Sequence, residues 1–478
     1  MGFRAPITCL LLATMTAATA RAAEGISFSR QIAPILISQC QTCHGAEKAK
    51  GNYRVDSFER LMTTGESKKL PIMAENAKKS WLYLLLVAMD DADRMPQKAD
   101  PLPAAQIALV KQWIEEGAKF DGLDRNASLA SIAPSEQHPA PPTIYRQAVP
   151  ITALALNPDG KTLAAAGYHE VTLWDPASGA LRGRIQKVAQ RTYSIAYSPD
   201  GRWLAVAGGK PGAGGEMRLI EVAKGDAGRL LAKTADVFLV ARFSPDGRLL
   251  AAGGSDNAVH LVDVASGKQL LVIEQHADWI TDLAFSPDGL MLATTSRDKS
   301  ARVFEVKTGA MRSAFLTHEE QVAAIAWDAD GKTIYTAGRD KRIRSWLAAD
   351  GKQIGTVATR EAEPLKLITT GKPGGPIYLA SADGVARQYA PPAPPPPPAD
   401  KKDKTAKPEP PVRPKETPPR VFGATGDCAF SLALDEKNKK LMVGGQDGAV
   451  QVIDLERGES VLKFVAAPGM EKTSKVAR

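Results

Sequence analysis

The hydrophobic positions of this 478-residue chain follow two patterns, which change between residues 122 and 143. Before the change, apolar residues recur three or four positions apart, the period of a helix with one buried face. After it, apolar and polar residues alternate in runs of about five or six, and the runs end in Pro–Asp–Gly or Ser–Gly turns. The sequence therefore predicts a small helical region followed by a larger all-β region.

The all-β region repeats itself. A turn ending in Asp–Gly recurs at intervals of 41, 46, 42 and 42 residues, with its glycine at Gly160, Gly201, Gly247, Gly289 and Gly331. A period near 40–45 residues with four strands per unit is typical of a β-propeller. We count seven units, whose first strands are predicted to begin near residues 151, 192, 238, 280, 322, 365 and 429.

The helical region contains Cys40–Gln41–Thr42–Cys43–His44, which is a C-x-x-C-H motif. This spacing is the attachment signature of c-type haem. One helical turn separates the two thiols, which add to the two vinyl groups of the porphyrin, and His44 is then the proximal iron ligand. Covalent haem c, one per chain, is the predicted cofactor.

The motif has two competing interpretations. A zinc site needs more soft ligands, but the first 122 residues hold no other His, and the only other Cys there is Cys9 in the apolar amino-terminal stretch. A thioredoxin-like dithiol needs a preceding strand, whereas the residues before Cys40 have the period of a helix. That helix has a serine N-cap and four apolar residues on one face: Ser27, Phe28, Ile32, Ile35 and Leu36.

The second iron ligand follows by elimination. His44 is the only histidine before His138, so a bis-histidine haem within this region is excluded. The thioether candidates are Met62, Met73, Met89 and Met95. Met95 precedes Pro96, which stiffens the loop, whereas Met89 ends an apolar run and is predicted to pack in the core. Met95 is the favoured ligand; the alternative is that it only packs and the iron is five-coordinate.

These residues resemble the planctomycete-type cytochrome c domain over about residues 26–122. The resemblance rests on C-x-x-C-H-G, Ser80–Trp81–Leu82–Tyr83, Arg94–Met95–Pro96, and a closing helix from Ala104 to Glu116 that carries Trp113 and precedes Gly117. Gln97 stands where the family usually has a second proline. The resemblance implies a small all-α, class I-like cytochrome c domain with haem on Cys40 and Cys43 and iron held by His44 and Met95.

The repeats resemble WD40 repeats over about residues 143–467, which implies a seven-bladed propeller. Trp174–Asp175 is the namesake pair, and other units carry drifted versions of it. His276 with Asp298, and His318 with Asp340, are candidates for the buried His–Asp network of that family. A stabilising role within the blades is the favoured interpretation of these pairs.

The remaining segments complete the domain organisation. Residues 1–22 are predicted to be a signal peptide, cleaved before Ala23, so that the mature protein is periplasmic or otherwise exported; an uncleaved anchor is the alternative. The cytochrome domain then covers residues 23–122, a linker 123–142, the propeller 143–467 and a tail 468–478. Residues 391–419 hold 13 of the 34 prolines and are predicted to be a loop inserted into the sixth unit.

Charge and the other candidate sites add little. The net charge of +8 is spread along the chain, which argues against nucleic-acid binding. After the amino terminus no apolar run reaches 18 residues, so no later membrane span is expected. Cys428 is predicted to be a small buried hydrophobe, and the glycine-rich residues 208–215 a loop between two strands. No nucleophile elbow, phosphate loop or pair of histidines with metal-ligand spacing marks an enzyme site.

Three functions are consistent with these features. The favoured one is an exported mono-haem cytochrome that transfers single electrons, with the propeller as a docking platform for an unidentified redox partner. The second is a haem-dependent oxidoreductase whose propeller face binds a substrate. The third is a haem-bearing scaffold or sensor.

Overall fold

The computed structural model describes residues 25–45, 48–97, 100–122, 125–126, 128–132, 138–359, 362–391, 418–424 and 426–470. The chain divides into two compact units, the first ending at Pro134 and the second beginning at Ser135. The predicted signal peptide at 1–22, residues 392–417 of the proline-rich insertion and the last eight residues of the tail lie outside the described ranges.

The first unit is helical, with short helices joined by turns. A π-helical turn, Phe28–Ile32, leads into α1 (Ala33–Gln39), and the other helices are α2 (Gln41–His44), α3 (Phe58–Leu61), α4 (Trp81–Leu86), α5 (Ala104–Glu115) and α6 (Leu129–Ile132). Two 3-10 turns cover Lys50–Asn52 and Ala77–Lys79. None of the helices in the described part of the chain has the length and apolar character needed to cross a membrane.

The two predicted helices, one before Cys40 and one from Ala104 to Glu116, are confirmed and pack together. The Ser27 side chain accepts a hydrogen bond from the N–H of Arg30, as an N-cap does. Trp113 on α5 is fully buried, and its ring centroid lies 5.2 Å from that of Phe28. Trp113 therefore packs against the first helical turn of this unit. Gly117 ends α5 with a φ of 95°, which glycine adopts without a Cβ clash.

The second unit is built from strands. In chain order they are β1 (Leu154–Leu156), β2 (Leu163–Ala166), β3 (Tyr168–Trp174), β4 (Leu181–Tyr197), β5 (Trp203–Lys210), β6 (Gly214–Glu221), β7 (Arg229–Thr234), β8 (Phe238–Phe243), β9 (Leu249–Gly254), β10 (Val259–Asp263), β11 (Gln269–Ile273), β12 (Ile280–Phe285), β13 (Met291–Ser296), β14 (Ala301–Glu305), β15 (Met311–Phe315), β16 (Val322–Trp327), β17 (Thr333–Gly338), β18 (Arg342–Leu347), β19 (Gln353–Thr359), β20 (Pro364–Thr369), β21 (Ile377–Ser381), β22 (Val385–Tyr389), β23 (Arg420–Ala424), β24 (Ala429–Asp435), β25 (Lys440–Gly445), β26 (Ala449–Asp454) and β27 (Glu459–Val465).

These strands form antiparallel sheets in sequential order. Strands β1 to β7 make one curled seven-stranded sheet, and the rest make five four-stranded sheets, β8–β11, β12–β15, β16–β19, β20–β23 and β24–β27. The seven-stranded sheet contains the strands of the first two repeats. Strand β4, which is continuous over 17 residues, supplies both the last strand of the first repeat and the first strand of the second. Short strands joined by tight turns permit this sequential antiparallel order.

A β-bulge recurs near the start of the first strand in most of the repeats. The register shifts between Phe238 and Val240, Ile280 and Asp282, Val322 and Ala324, Pro364 and Lys366, and Ala429 and Ser431. A bulge bends the strand and redirects the side chain beside it. The residue that follows each bulge is therefore set in a defined direction by the backbone itself.

The sheets pack on one another through their first strands. Each of β4, β8, β12, β16 and β20 contacts the first strand of the next sheet, and β1 contacts both β4 and β24. One hydrophobic cluster includes Trp174 of the first sheet and Phe464 of the last, with ring centroids 5.2 Å apart. The Ser431 hydroxyl donates to the Ile151 carbonyl oxygen at 2.8 Å. The first and last sheets thus share a core.

Three sequence expectations differ from the structure. Gly208, Gly209, Gly214 and Gly215 lie within β5 and β6, so this stretch lengthens a hairpin and is not a loop insertion. Cys428 precedes β24 and is only half-buried. Its thiol donates a hydrogen bond to the Ala382 carbonyl oxygen at 3.3 Å. Within the predicted linker, Leu129 is fully buried in the core of the first unit.

Candidate functional site

The Cys-x-x-Cys-His motif lies where α1 gives way to α2. The N–H of Cys40 donates to the Leu36 carbonyl oxygen in α1 at 3.0 Å. The carbonyl oxygen of Cys40 accepts from the N–H groups of Cys43 at 3.2 Å and His44 at 2.9 Å. Both cysteines are free, half-buried thiols. One turn of helix therefore carries two thiols and an imidazole.

His44 is oriented by the main chain that follows it. Its Nδ1 lies 3.1 Å from the carbonyl oxygen of Tyr53. A carbonyl oxygen only accepts hydrogen bonds, so Nδ1 is the donor in this contact, and a neutral His44 ring then has its lone pair on Nε2. The backbone is fixed as well, because the N–H of Val55 donates to the His44 carbonyl oxygen at 2.8 Å. This is the tautomer in which a metal binds Nε2 and a second group steadies the ring.

Burial controls the ionisation of the groups near the motif. Burial, and secondarily the charge of Cys43, raise the pKa of the Cys40 thiol to about 11. Burial, with a smaller effect from Cys40, also raises the pKa of the Tyr53 hydroxyl, which donates to the Leu61 carbonyl oxygen at 2.9 Å. Both groups are neutral at pH 7, so neither adds a negative charge beside His44 there.

Met95 lies on a different segment, in the loop that follows α4. It is half-buried, and its N–H donates to the Leu85 carbonyl oxygen at 2.9 Å. The neighbouring Arg94 pairs with Asp91 at 2.5 Å, and the Arg94 N–H also donates to the Asp90 carbonyl oxygen at 2.9 Å. The loop that carries Met95 is therefore tied to the end of α4 and braced by its own turn.

The prediction that Met89 packs in the core is wrong, because its side chain is 97 % exposed. Helix α4 ends at Leu86, and Met89 lies in the turn that follows, beyond the buried face of the helix. Met62 is partly buried against the core of the first unit. The Met73 N–H donates to the Ser80 hydroxyl at 2.8 Å. Among the four methionines, Met95 is the candidate iron ligand that precedes a proline and lies in a loop hydrogen-bonded to α4.

The donor set fits a haem c. It offers two free thiols one turn apart and an imidazole with Nε2 available, which are the groups that covalent attachment and axial ligation require. Two buried polar atoms of the first unit, Arg94 Nε and Gln106 Oε1, have no hydrogen-bond partner in the described part of the chain. Within that part, no cluster of three His, Cys, Asp or Glu side chains could hold a bare metal ion.

The two His–Asp pairs predicted in the second unit are confirmed. His276 Nδ1 lies 2.9 Å from Asp298 Oδ2, and its Nε2 lies 2.7 Å from the Thr294 hydroxyl. His318 Nδ1 lies 3.1 Å from both carboxylate oxygens of Asp340. The Nε2 atom of His318 lies 2.8 Å from the hydroxyl oxygen of Thr336. Both ring nitrogens of each histidine are therefore engaged, which is the stabilising role expected from the sequence.

Sequence reasoning missed a charged cluster on the first strands of the second unit. Lys366 Nζ lies 2.7 Å from Asp282 Oδ2, and Arg242 Nη2 lies 3.4 Å from Asp282 Oδ1. Alignment of the repeats carries a signal for it. Asp282 and Lys366 occupy equivalent positions near the start of the first strand of their repeats. The other five repeats have uncharged residues there: Ala153, Ser194, Val240, Ala324 and Ser431.

Comparison with known families supports both parts of the chain. Residues 40–98 match the family model described as Planctomycete cytochrome C, and this range includes Cys40, Cys43, His44 and Met95. Residues 229–263, 267–305 and 310–346 match the model described as WD domain, G-beta repeat. No curated protein matches the chain. The predicted combination of a planctomycete-type cytochrome c with WD40 repeats is confirmed, and the cytochrome match implies haem c with its iron.

Proposed function

We propose that this chain is an exported mono-haem c-type cytochrome that transfers single electrons and docks a redox partner through its WD40 repeats. The observation that carries the proposal is the turn at Cys40–His44. It presents two free thiols. The Tyr53 carbonyl oxygen lies 3.1 Å from Nδ1 of His44, so the hydrogen bond uses Nδ1 and leaves Nε2 for the iron.

In this proposal, Cys40 and Cys43 hold the porphyrin permanently through thioether bonds, and His44 holds the iron through Nε2. Met95 is the second axial ligand, supported by the tether between its N–H and the Leu85 carbonyl oxygen and by the adjoining Pro96. A haem held by His and Met supplies a one-electron Fe(II)/Fe(III) couple at a raised potential. The protein residues fix both ligands in place, which limits their movement when the charge on the iron changes.

We further propose that the second unit is a seven-bladed propeller. Two observations support ring closure: β1 contacts β24, and Trp174 and Phe464 share a core with the first and last sheets. Strands β20 to β23 form the sixth of the seven proposed blades, since β22 pairs with β23 although the proline-rich insertion separates them in the sequence. A closed propeller exposes broad loop faces that suit protein docking, and WD40 repeats suggest protein–protein interaction.

Export is part of the proposal because haem c attachment and the predicted signal peptide imply the same route. The signal peptide, residues 1–22, ends before the described part of the first unit. We expect cleavage before Ala23 and a periplasmic or otherwise exported mature protein.

The attachment is tested by expressing the full chain with haem-maturation machinery. We expect pigment that resists acid–acetone extraction and a reversible reduced-minus-oxidised spectrum. The double variant Cys40→Ala/Cys43→Ala should lose all covalent pigment, whereas Cys428→Ala, which removes the half-buried thiol of the second unit, should retain it. A colourless wild-type protein after correct export, or pigment retained by the double variant, would contradict the proposal.

The ligation is tested in the same preparation. Met95→Ala should abolish the low-spin methionine-ligated spectrum and lower the midpoint potential, since a soft thioether favours Fe(II). Met89→Ala is the matched control, because its fully exposed thioether lies six residues earlier. An unchanged spectrum in Met95→Ala would remove Met95 as a ligand and leave an open iron site.

A further inference from the structure

The first strands of the second unit line an open cavity that none of the preceding roles uses. Its volume is about 520 Å³, which lies within the range of small-molecule sites. The lining combines apolar side chains with two cations and comes from β8, β12, β16 and β20, with the turns that follow the last three. Among the lining residues are Phe285, Trp327 and Leu367, together with Arg242 and Lys366.

The two cations share a single carboxylate. Asp282 accepts from Lys366 Nζ at 2.7 Å and from Arg242 Nη2 at 3.4 Å, and its side chain is only 3 % exposed. The Asp282 carboxylate also accepts from the Ile325 N–H at 3.4 Å. The cluster therefore holds two positive charges and one negative charge, with the carboxylate beneath the cations.

Both cations keep donors that can face the cavity. An ammonium group has three N–H donors, and Asp282 takes one of those of Lys366 within the described part of the chain. Arg242 uses Nη1 on the Ser194 hydroxyl at 2.9 Å and on the Ala241 carbonyl oxygen at 2.8 Å. Their side chains are 21 % and 28 % exposed, so both remain accessible to a ligand.

The electrostatics favour an incoming anion. Burial, and then repulsion from Arg242, lower the pKa of Lys366 to about 8, against the attraction of Asp282. An anion between the two cations would relieve that repulsion. Thr370 also lines the cavity, and its hydroxyl oxygen is buried without a hydrogen-bond partner among the residues that the structure describes.

The backbone fixes this arrangement in advance. Asp282 and Lys366 each follow a β-bulge directly, so their directions are set by the strand and not by a mobile loop. Ser194 is held as well, since its hydroxyl accepts from the Ala241 N–H at 3.1 Å. A site on rigid strands binds with a smaller entropic cost than a site on flexible loops.

We propose that this cavity binds a small organic carboxylate, with its anionic group between Lys366 and Arg242 and its apolar body against the half-buried Phe285 and its neighbours. The apolar lining distinguishes this ligand from free phosphate, which has no apolar surface to bury. The proposal is independent of the haem, because the cavity is formed entirely by residues of the second unit.

The test uses the full-length, haem-loaded chain and three probes in calorimetric titrations. Benzoate carries both the charge and the apolar body, benzyl alcohol has the same ring without the charge, and inorganic phosphate has the charge without the ring. We expect benzoate to bind at least about tenfold more tightly than either other probe, because the charge and the burial each contribute. The Soret band should stay unchanged, which places the binding away from the iron.

The variant test compares two lysines. Lys366→Met should weaken benzoate binding about tenfold or more, and Lys352→Met, at an exposed turn before β19, should leave it unchanged. Because Lys366→Met removes a partner of a buried carboxylate, its fold is checked by circular dichroism, and Thr370→Val provides a milder second variant with a smaller loss. The comparison among the three probes needs no variant at all.

Four results would overturn the proposal: no benzoate binding, equal binding of benzoate and benzyl alcohol, equal binding of benzoate and phosphate, or full affinity in a folded Lys366→Met protein. A Soret shift on adding benzoate would assign the binding to the iron instead. The haem tests at Cys40 and Cys43 give their results whichever of these outcomes is found, so the two proposals fail separately.

Discussion

His44 of the first unit is used in the opposite way to His276 and His318 of the second unit. In the second unit, His276 and His318 are buried, and each has an aspartate on Nδ1 and a threonine hydroxyl on Nε2. In the first unit, His44 is half-buried and has a backbone carbonyl oxygen on Nδ1. Both ring nitrogens of His276 and His318 are engaged within the fold, whereas His44 is held through Nδ1 and keeps Nε2 for a ligand.

The partners explain the difference. A carboxylate can hold a protonated or a neutral imidazole, and Arg344 joins the buried pair by bonding Asp340 at 2.5 Å. A neutral carbonyl oxygen adds no charge, so the Tyr53 main chain fixes the ring of His44 without an ion pair. The sequence predicts the two aspartate partners but not the Tyr53 carbonyl oxygen, because every residue has a main-chain carbonyl group.

Crossed substitutions give the largest expected effects. His44→Ala should abolish the native axial ligation, seen as a changed visible spectrum, and leave the unfolding of the second unit almost unaltered. His318→Ala should leave the spectrum intact and lower the free energy of unfolding of the second unit by about 3 kcal/mol, because it leaves the Asp340 carboxylate and Arg344 with an incomplete buried network.

The readouts are the reduced-minus-oxidised spectrum and urea unfolding followed by far-UV circular dichroism. His260→Ala is a milder control, since His260 is paired with Asp256 at 2.7 Å nearer the surface. The contrast between the two kinds of histidine would be lost if His318→Ala altered the haem spectrum, or if His44→Ala destabilised the second unit as much as His318→Ala does.

Acid should destabilise the second unit through these same pairs. Burial lowers the pKa of His318, although Asp340 opposes the shift. Burial would raise the pKa of Asp340, but hydrogen bonds from His318 and Arg344 hold it below its usual range. Both groups bind fewer protons in the folded state, so their stabilisation is complete above the unfolded-state pKa values and is lost as the pH falls.

The expected loss begins below about pH 6.5 through His318 and continues below about pH 4 through Asp340. Urea midpoints measured between pH 7.5 and pH 2.5 test this. Asp340→Asn, which removes the ionisable carboxyl group, should start with a lower midpoint and lose less of it below about pH 4 than the wild-type protein does. A pH-independent midpoint in the wild-type protein would refute the assignment.

The periodic parts of the molecule were predictable from the sequence. First strands predicted at 238, 280 and 322 begin at those residues, because an Asp–Gly turn marks each repeat and the alternation fixes the buried face. The strand predicted near 192 is part of the continuous β4, Leu181–Tyr197, which the turn pattern does not predict. The Asp–Gly turns thus locate the strands on either side of them, but they do not show where the last strand of one repeat ends and the first strand of the next begins.

The site was predictable only in part. The C-x-x-C-H spacing gives the thiols and the imidazole directly, but the Tyr53 carbonyl oxygen has no side-chain signal, since any residue supplies one. Met89 was misplaced because apolar character predicts burial only while the helix continues, and α4 ends three residues before it. The pair of Asp282 and Lys366 lies 84 residues apart and comes together only through the packing of the first strands.

The smallest expected effect separates the side chain of Tyr53 from its main chain. Tyr53→Phe removes the hydroxyl that donates to the Leu61 carbonyl oxygen at 2.9 Å, but keeps the backbone carbonyl oxygen that holds His44. We expect the first unit to lose about 1 kcal/mol of unfolding free energy, the usual net contribution of one buried hydrogen bond, with the haem spectrum unchanged. Urea unfolding followed at the Soret band measures the first quantity, and the visible spectrum the second. A changed axial spectrum in Tyr53→Phe would mean that the ring of His44 is positioned by the phenol and not by the peptide, and the contrast with the side-chain partners of His276 and His318 would then fail.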